Sequence, residues 1–360
     1  MALRSVLIIG TGLIGTSIGM ALTGQGRKVY LRDRMSSNAL VASSLGAGMV
    51  ETPTDVDLVI VAVPPAVTAH VVVRALSRYP QATVTDVASV KAPILEQVRL
   101  SGADLGRYVG SHPMAGSHRS GPLTANGDLF IDRTWVVAAH EDADDSCVAL
   151  VEGLARLCGA RVEVMDAREH DQAVAEVSHV PQIMSSLMAG NLVGVRASHL
   201  RLAGQGVRDV TRIAASDEDM WTQIITSNRD VIGTQLEKLA AALNDVRSHL
   251  DSPQVVFDFM KHGVEGVRGL PGKHGRTQMD YMHLIVEIPD SPGALARLFS
   301  DVDAAGVNVE DLEIEHDRTR EVGYISIAVQ PEKAEELAQA MTAAGWALKD
   351  EYCTDIVRKG

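Results

Sequence analysis

Residues 5–15, S-V-L-I-I-G-T-G-L-I-G, place a run of apolar residues directly before three glycines spaced G-x-G-x-x-G. The run from Val6 to Ile9 predicts a strand, and the residues from Leu13 to Leu22 have the pattern of a helix. A strand, a glycine-rich turn and a helix in this order are typical of a dinucleotide-binding fold. The glycine motif alone is a weak signal, and its place between a predicted strand and a predicted helix gives it weight.

Each glycine of this turn has its own physical reason. Gly10 permits the tight turn, Gly12 lets the backbone approach a pyrophosphate, and Gly15 allows the helix to pack closely on the strand. Leu13 and Ile14 begin the helix, whose N-terminus attracts phosphate through its free N–H groups and its dipole. We therefore expect these five residues to bind a dinucleotide cofactor.

Asp33 follows the second predicted strand, Lys28 to Leu31, about twenty residues after the turn. A carboxylate at this position can bind both hydroxyls of the adenosine ribose. Asp33 therefore favours NAD, because its charge would repel the 2′-phosphate of NADP. Arg32 and Arg34 flank it, and an arginine here is the usual partner of that phosphate, so the strictness of the preference stays open.

Short apolar runs alternate with helical patterns through the first part of the chain, as expected for parallel strands buried on both faces. This alternation predicts the α/β class, with a Rossmann-type doubly wound parallel sheet. Ligands bind beyond the carboxyl ends of such strands. Val63 and Pro64, at the end of the third strand, should therefore line the nicotinamide edge of the cofactor site. The later strands are expected at Leu58–Val63, Thr83–Asp86, Trp135–Ala138 and Arg161–Val164.

The pattern changes near Met165. From Arg168 to about Leu250 apolar residues repeat at helical spacing, which predicts an all-helical domain. Its long amphipathic faces suit either a homodimer contact or packing within the chain. After a linker at 270–275, strand and helix patterns predict a small α+β domain of ferredoxin-like order. The expected domains are residues 1–166, 167–270 and 276–360.

The composition is that of an ordinary globular protein. The 360 residues are 46% hydrophobic and 22% charged, and the formal net charge is −13. We expect no nucleic-acid partner, because an acidic chain lacks the basic face that phosphate binding requires. The three cysteines lack metal-ligand spacing. No secretory signal or membrane-spanning run stands out, which favours a cytoplasmic enzyme without membrane contact.

A second motif, V-G-S-H-P-M-A-G at residues 109–116, places His112 just past a short apolar strand. At that edge of the sheet a histidine can reach cofactor and substrate, and imidazole can take a proton near neutral pH. Ser89, within D-V-A-S-V-K at 86–91, ends the fourth strand. Its hydroxyl can bond His112 or the nicotinamide amide, or it can cap the helix that follows.

Together the motifs resemble the prephenate dehydrogenase family, which includes the arogenate dehydrogenases. The resemblance covers roughly residues 3–250, and five motifs in the family's order are specific where no single one would be. The matching segments are residues 10–15, 86–91, 111–116, V-S-H-V-P at 177–181 and D-V-T-R-I-A at 209–214, the last continued by 217–221.

The resemblance implies oxidative decarboxylation of prephenate to 4-hydroxyphenylpyruvate in tyrosine biosynthesis, with NAD as the hydride acceptor. It gives His112 the role of the base that takes the proton of the ring hydroxyl. Arg212 matches the family's carboxylate-binding arginine, a role that suits a bidentate guanidinium. His179 matches a second histidine on the substrate side. No metal is implied, because the histidines lack ligand spacing.

One position departs from the family's pattern. The family commonly has glutamate two residues after the glycine of the His-Pro motif, and this chain has His118 there. Arogenate carries an ammonium group where prephenate carries a ketone, and a buried ammonium needs an anionic partner. His118 therefore favours prephenate as the substrate. Arogenate dehydrogenase activity, giving tyrosine directly, is the alternative.

The C-terminal part resembles an ACT domain, through I-P-D-S-P-G-A-L at 288–295 and G-V-N-V at 306–309. The resemblance implies an amino-acid site at the first strand–helix loop, where backbone N–H groups can bind a carboxylate. The expected ligand is tyrosine, the end product of the pathway. A structural or dimerising module without a ligand is the other interpretation. The residues expected to hold tyrosine are Asp290, Pro292, Gly293 and Asn308.

Two further functions stay open at this point. A reductase of the 6-phosphogluconate or hydroxyisobutyrate type would carry a catalytic lysine in the helical domain, where this sequence has His179 and Arg212. A non-catalytic sensor of nucleotide and amino acid would have no need of His112, Ser89 and Arg212 together.

Overall fold

The computed structural model describes residues 3–116, 121–270, 281–289, 291–316, 322–349 and 353–354. The chain divides into two compact units, Met1–Ser248 and His249–Gly360. The expected domain boundaries at residues 166 and 270 fall inside these units and stay predictions.

Four parallel strands form the first sheet of the N-terminal unit, in the order β2-β1-β3-β4. The third strand ends at Val61 rather than at Val63, because Pro64 and Pro65 lead directly into a helix. The other three lie where the apolar runs predicted them. The strands are β1 (Ser5–Ile9), β2 (Lys28–Arg32), β3 (Leu58–Val61) and β4 (Thr83–Asp86), followed respectively by helices α1 (Leu13–Gly24), α2 (Ser36–Ser44), α3 (Pro65–Arg78) and α4 (Ala92–Leu100).

A second sheet of three strands contains β5 (Gly110–Pro113), β6 (Thr134–Ala138) and β7 (Arg161–Met165), with helix α5 (Asp145–Leu157) between β6 and β7. Strands β6 and β7 are parallel, whereas β5 runs antiparallel to β6. His112 pairs with Val136 inside β5, so the expectation that it follows a strand was wrong. The pairing with β6 continues through Pro113 and therefore holds the histidine within the sheet.

Alternate residues of the first sheet point to two separate cores, one on each face. Val6 and Ile8 belong to a core that includes Trp135, whereas Leu7 belongs to another that includes Val72. Burial on both faces is what the uniformly apolar runs predicted. The confirmed fold class thus provides a rigid sheet whose carboxyl ends carry the loops of the candidate site.

The rest of the N-terminal unit is helical, as predicted. Helix α11 buries Ile232 against Val180 near its start and exposes Leu239 and Leu243 farther along. The elements are α6 (Ala167–Val174), a π-helical turn at Ala175–His179, α7 (Val180–Gly190), α8 (Ala197–Leu200), α9 (Gln205–Thr211), a 3-10 turn at Arg212–Ala214, α10 (Glu218–Ser227) and α11 (Arg229–Ser248).

The C-terminal unit contains a helix followed by an antiparallel sheet of strand order β11-β8-β10-β9, with β12 also beside β8. The β-α-β-β-α-β succession from β8 to β11 is the ferredoxin-like order that the sequence predicted. The elements are α12 (Pro253–Arg268), β8 (Met282–Pro289), α13 (Ala294–Ala304), β9 (Asp311–His316), β10 (Val322–Val329), α14 (Pro331–Ala343), β11 (Ala347–Leu348) and β12 (Cys353–Thr354).

One strand of this unit was placed too early. The sequence predicted a strand from Gly306 to Val309, but β9 begins only at Asp311, where pairing with β10 starts. Gly306 adopts φ +66° directly after α13, and Val307 turns into the core of the unit. These residues end the helix and cross to the sheet, and their apolar character reflects burial rather than strand pairing.

Candidate active site

The glycine turn has the shape that phosphate binding requires. Gly10 has φ +102°, and a Cβ on it would lie 2.1 Å from the carbonyl oxygen of Ala62. A Cβ on Gly15 would lie 2.0 Å from the carbonyl oxygen of Gly10, so both glycines are required for packing. Among the described residues, apart from Gly12 and its two chain neighbours, none has an atom within 4 Å of where a Cβ on Gly12 would be. This open space lies at the start of α1, so Leu13 and Ile14 can present their N–H groups to a phosphate.

Asp33 lies beside this turn and is held by it. Thr11 donates its backbone N–H to Oδ2 of Asp33 at 2.7 Å and its hydroxyl to the same oxygen at 3.0 Å. Met35 donates its N–H to Oδ1 at 2.8 Å. Each carboxylate oxygen can accept more than one hydrogen bond, so Asp33 can still bind ribose hydroxyls. Arg32 and Arg34 are exposed on either side.

The next two loops along the sheet carry the remaining cofactor-side candidates. Val63 is half-buried and Pro64 is exposed at the start of α3, and Thr68 donates its hydroxyl to both of their carbonyls. Ser89 is half-buried in the loop between β4 and α4. The alternative role of Ser89, as the cap of α4, is wrong, because Lys91 occupies the N-cap position. The cap comes from Asp171, which accepts the N–H groups of Lys91 and Ala92 at 2.8 and 2.9 Å.

A buried ionic cluster of Lys91, Asp86 and Tyr108 braces the strand of His112. The Lys91 ammonium donates to the Asp86 carboxylate and to the carbonyl of Ser111, the latter at 2.7 Å. Tyr108 donates its hydroxyl to the other carboxylate oxygen at 2.7 Å. Lys91 is 1% exposed and Asp86 is fully buried. The cluster ties the end of β4 to β5, and the sequence-based site prediction missed it.

His112 is half-buried and is the first member of a hydrogen-bonded chain of three side chains, of which His170 and Asp171 are buried. Its Nδ1 lies 2.9 Å from Nε2 of His170, and Nδ1 of His170 lies 2.8 Å from Oδ1 of Asp171. The two imidazole rings meet edge to face, with centroids 5.1 Å apart. Both partners stand on α6 and were missed by the sequence analysis. The only available signal was the dipeptide His170-Asp171 at the start of the helix that follows the last predicted strand of the first domain.

The surroundings keep His112 in its neutral, basic form. Burial lowers the pKa of His112 well below its usual 6.5, and the nearby His170, Lys91 and His179 lower it further. A neutral imidazole can accept a proton, and a histidine already charged cannot. The arrangement therefore suits general-base chemistry.

His179 ends the π-helical turn and is 2% exposed. Its Nδ1 lies 3.2 Å from the amide nitrogen of Asn228, which also donates to the carbonyl of Asp171 at 2.8 Å. Burial lowers the pKa of His179 to about 4. Since the amide nitrogen of Asn228 can only donate, Nδ1 of His179 is the acceptor, and its proton sits on Nε2. The structure thus groups His179 with the chain of His112 through Asp171.

Arg212 is exposed at the start of the 3-10 turn after α9. Gln182 of α7 donates its amide to the carbonyl of Ile213 at 3.0 Å, which ties this turn to the helix that begins after His179. An exposed guanidinium on an anchored turn can bind a carboxylate bidentately. His118, predicted to contact the substrate, lies outside the described residues.

Comparison with known proteins decides the family. Residues 18–164 match the model of the prephenate dehydrogenase nucleotide-binding domain, and residues 166–261 match that of the prephenate dehydrogenase dimerization domain. The chain is 35% identical over 358 residues to the probable prephenate dehydrogenase NovF of Streptomyces niveus, covering 96% of this chain and 99% of the relative. The chain belongs to the prephenate dehydrogenase family.

Other members of the prephenate dehydrogenase family agree with this assignment. The Bacillus subtilis prephenate dehydrogenase is 26% identical, over 93% of this chain and 94% of the relative. A crystal structure described as a putative prephenate dehydrogenase from Corynebacterium glutamicum has 27% identity and a TM-score of 0.66, covering 74% of this chain and 90% of that one. The Aquifex aeolicus prephenate dehydrogenase, solved with hydroxyphenyl propionate and NAD+, shares the fold, with a TM-score of 0.66, 24% identity and 74% and 98% coverage.

Family membership makes the chain an NAD-dependent oxidoreductase, so the predictions of family, enzyme class and NAD cofactor are confirmed. The part of the chain that the structure describes contains no cluster of three or more His, Cys, Asp or Glu side chains able to hold a metal ion. It also contains no helix long and apolar enough to cross a membrane. The role of each site residue stays a prediction.

The candidate effector loop lies in the C-terminal unit. Gly293 adopts φ +88° directly before α13, and Pro292 is exposed beside it. Asn308 is exposed and donates its amide to the Glu310 carboxylate at 2.9 Å. Asp290 lies outside the described residues. The identity of this unit as an ACT domain stays a prediction.

Proposed function

We propose that this enzyme oxidises and decarboxylates prephenate to 4-hydroxyphenylpyruvate, with His112 as the base. The observation that carries the proposal is the chain from His112 through His170 to Asp171, in the same unit as the glycine turn and Asp33. When bound, NAD accepts the hydride from the ring carbon that bears the hydroxyl. Gly12, at the open space before α1, and Asp33 would hold its pyrophosphate and its adenosine ribose.

The chain's own residues then perform the proton chemistry. His112 takes the hydroxyl proton as the ring carbon is oxidised, and loss of the ring carboxylate as carbon dioxide makes the ring aromatic. Arg212 binds a substrate carboxylate, and His179 offers its Nε2–H to an oxygen of the substrate. Because the electron pair released with carbon dioxide reaches the ring oxygen, the resulting phenolate takes back one proton.

The alternative substrate is arogenate. The argument for prephenate rests on His118, since a histidine provides no carboxylate for the arogenate ammonium group. The deciding experiment compares kcat/KM for prephenate and arogenate, each with NAD and with NADP. We expect the highest value for prephenate with NAD, and His118→Glu should raise the relative activity with arogenate. A higher native kcat/KM for arogenate would contradict the preference, and no turnover of either substrate would favour a sensor.

The cofactor preference rests on Asp33. Asp33→Ser should lower kcat/KM for NAD by about 10- to 150-fold, since a hydrogen bond to a charged group contributes about 1.5–3 kcal/mol. The same change should improve use of NADP, because Arg32 or Arg34 can then meet the 2′-phosphate. Initial rates of the variant with both cofactors test this, with Asp55→Ser, an exposed aspartate, as the control. A native enzyme that uses NADP as well as NAD would contradict this role of Asp33.

The pH dependence follows from the lowered pKa of His112. Because the base works in its neutral form, kcat/KM should stay constant as the pH falls to 6.5 and should decline only in more acid solution.

His179, with a pKa of about 4, adds an effect of pH on the stability of the fold. The unfolded chain binds more protons between pH 6.5 and 4, so the fold loses stability as the pH falls through this window.

The measurement for this prediction is a pH–rate profile taken with brief acid exposure. Activity recovered on return to neutral pH is the control for unfolding. A half-maximal kcat/KM at or above pH 6.5 would show that the environment does not hold His112 neutral.

The C-terminal unit is proposed to bind tyrosine at the loop of Pro292, Gly293 and Asn308. Bound tyrosine should change the affinity for prephenate by roughly 5- to 150-fold, the range of ordinary allosteric coupling. Gly293→Ala should weaken binding, because φ +88° strains any residue with a Cβ. Gly345→Ala is the matched control, with φ +85° elsewhere in this unit. If calorimetry of the full chain detects no tyrosine binding, the C-terminal unit is a structural module without this ligand.

The assembly is proposed to be a homodimer in the cytoplasm. Leu239 and Leu243 of α11 are 41% and 63% exposed, and an apolar face of this kind suits contact with a second copy. The match of residues 166–261 to a dimerization domain supports this assembly. Sedimentation of the purified chain tests the dimer.

Cys147 and Cys158 form no disulfide and are buried, which suits the reducing conditions of the cytoplasm.

A further inference from the structure

Asp171 determines which nitrogen donates in each hydrogen bond from His112 through His170 to Asp171. Its carboxylate accepts the N–H groups of Lys91 and Ala92, so it acts as an acceptor at both oxygens. Nδ1 of His170, at 2.8 Å from Oδ1, must therefore donate. A neutral His170 then has its lone pair on Nε2, and Nδ1 of His112 must donate to it. The lone pair of His112 is left on Nε2, which fixes that nitrogen as the base.

The charges around the two histidines differ. Lys91 has its counter-charge in Asp86, to which it is directly bonded. The hydroxyl of Tyr108 is occupied by the same carboxylate, and His179 faces Asn228. Asp171 is therefore the carboxylate in this group of side chains that has no cationic side chain bonded to it. It directly contacts His170, and it reaches His112 only through His170. A positive charge is favoured on His170 over His112, because attraction between unlike charges falls with distance.

We propose that His112, His170 and Asp171 form a proton store that is filled and emptied once in each turnover. This rests on the proposed function, in which His112 is the base. As the hydroxyl proton of the substrate bonds to Nε2 of His112, the proton on Nδ1 of His112 moves to Nε2 of His170. His112 stays neutral, and the imidazolium of His170 forms an ion pair with Asp171. When carbon dioxide leaves, both protons move back, and the phenolate oxygen receives its proton.

The proton balance of the reaction agrees with such a store. Prephenate and NAD give 4-hydroxyphenylpyruvate, carbon dioxide and NADH without net release or uptake of a proton. A base that discharged its proton to solvent would have to recover one before the product formed. His170 is fully buried and Asp171 is 2% exposed, so the stored proton is shielded from water. His170 and Asp171 are positioning residues that act on the substrate through His112.

The test is the single-turnover rate of NADH formation from prephenate in mixtures of H2O and D2O. If two protons move together in the rate-limiting step, a plot of the rate against the deuterium fraction of the solvent is curved. If one proton moves, the plot is a straight line. The native enzyme should give the curve. A straight line for the native enzyme overturns the store without any variant.

His170→Gln supplies the matched variant. Glutamine can accept from Nδ1–H of His112 and donate to Asp171, but it cannot take up a proton. The variant should give a straight line and a smaller isotope effect. Its rate should fall by less than the about 10²–10⁴-fold expected for loss of the base itself. Glu169→Gln, exposed on the same helix, should keep the native curve.

The outcomes separate this proposal from the proposed function. If the native chain forms no NADH from prephenate, the proposed function fails. If the native chain is active and His112→Ala is not, but His170→Gln keeps the curved dependence, the store alone fails. A slower His170→Gln enzyme with an unchanged curve would mean that His170 has only a packing role.

Discussion

Replacing His112 with alanine should lower kcat by about 10²–10⁴-fold, the usual contribution of a positioned general base. The loss follows because His112 alone of the three hydrogen-bonded side chains can take the substrate proton directly, since His170 and Asp171 lie behind it and are buried. NAD affinity should change little, because the glycine turn and Asp33 are held by contacts of their own. Steady-state rates with prephenate, together with a titration of NAD binding, measure both effects.

Two comparisons make this result specific. Arg212→Ala should mainly raise KM, because binding of a carboxylate contributes to the ground state as well as the transition state. His70→Ala, a histidine exposed on α3, should leave both constants near native values. A His112→Ala enzyme with near-native turnover would show that His112 is not the base, even though the chain belongs to this family.

Replacing Lys91 with methionine should lower the free energy of unfolding by about 3–5 kcal/mol, the usual cost of removing one partner of a buried ion pair. Methionine fills a similar space but leaves the buried Asp86 carboxylate with only the Tyr108 hydroxyl and the Ala88 N–H. The hydrogen bond from Lys91 to the Ser111 carbonyl, next to His112, is lost as well. Urea unfolding of native and variant enzyme measures the change.

The matched control for this prediction is Arg99→Met. Arg99 pairs with Asp142 at 2.8 Å, but the two side chains are 41% and 46% exposed. An exposed pair of this kind contributes only about 0–1 kcal/mol. Equal losses in the two variants would show that the Lys91–Asp86 pair has no special role in holding β4 and β5 together.

The first sheet and the cofactor turn could be predicted from the sequence because their signals are local. Val6 to Ile9, the glycines and the helix from Leu13 are consecutive, and each residue type has one physical reason to be there. The position of Asp33 could be predicted from the same strand–turn–helix motif, since one helix and one strand separate it from the turn. The confirmed fold class and cofactor depend on this contiguous information.

The partners of His112 could not be predicted because they are distant in sequence. His170 is 58 residues away from His112, on a helix that follows the last strand of the second sheet. The hydrogen bonds from Lys91 and Ala92 to Asp171 join residues that are 80 and 79 positions apart. Neither hydrophobic periodicity nor motif spacing indicates contacts between residues so far apart in the sequence.

Lys91 shows a second reason why the prediction was incomplete. Lysine is almost never fully buried unless it is paired, so the sequence pattern gives no reason to place it in the core. Its burial depends on Asp86 and Tyr108 together, and on a glycine at position 110. A Cβ there would lie 3.2 Å from Lys91 and 3.3 Å from Asp86. The alternative role of Ser89 as a helix cap fails for the same reason, since Asp171 provides that cap from another helix.

The most direct measurement of the central claim is the yield of NADH, carbon dioxide and 4-hydroxyphenylpyruvate from prephenate and NAD. The account predicts that the three products form in equal amounts and that His112→Ala slows all three by the same factor. NADH formed without an equal amount of carbon dioxide, or no NADH from prephenate at all, would contradict it.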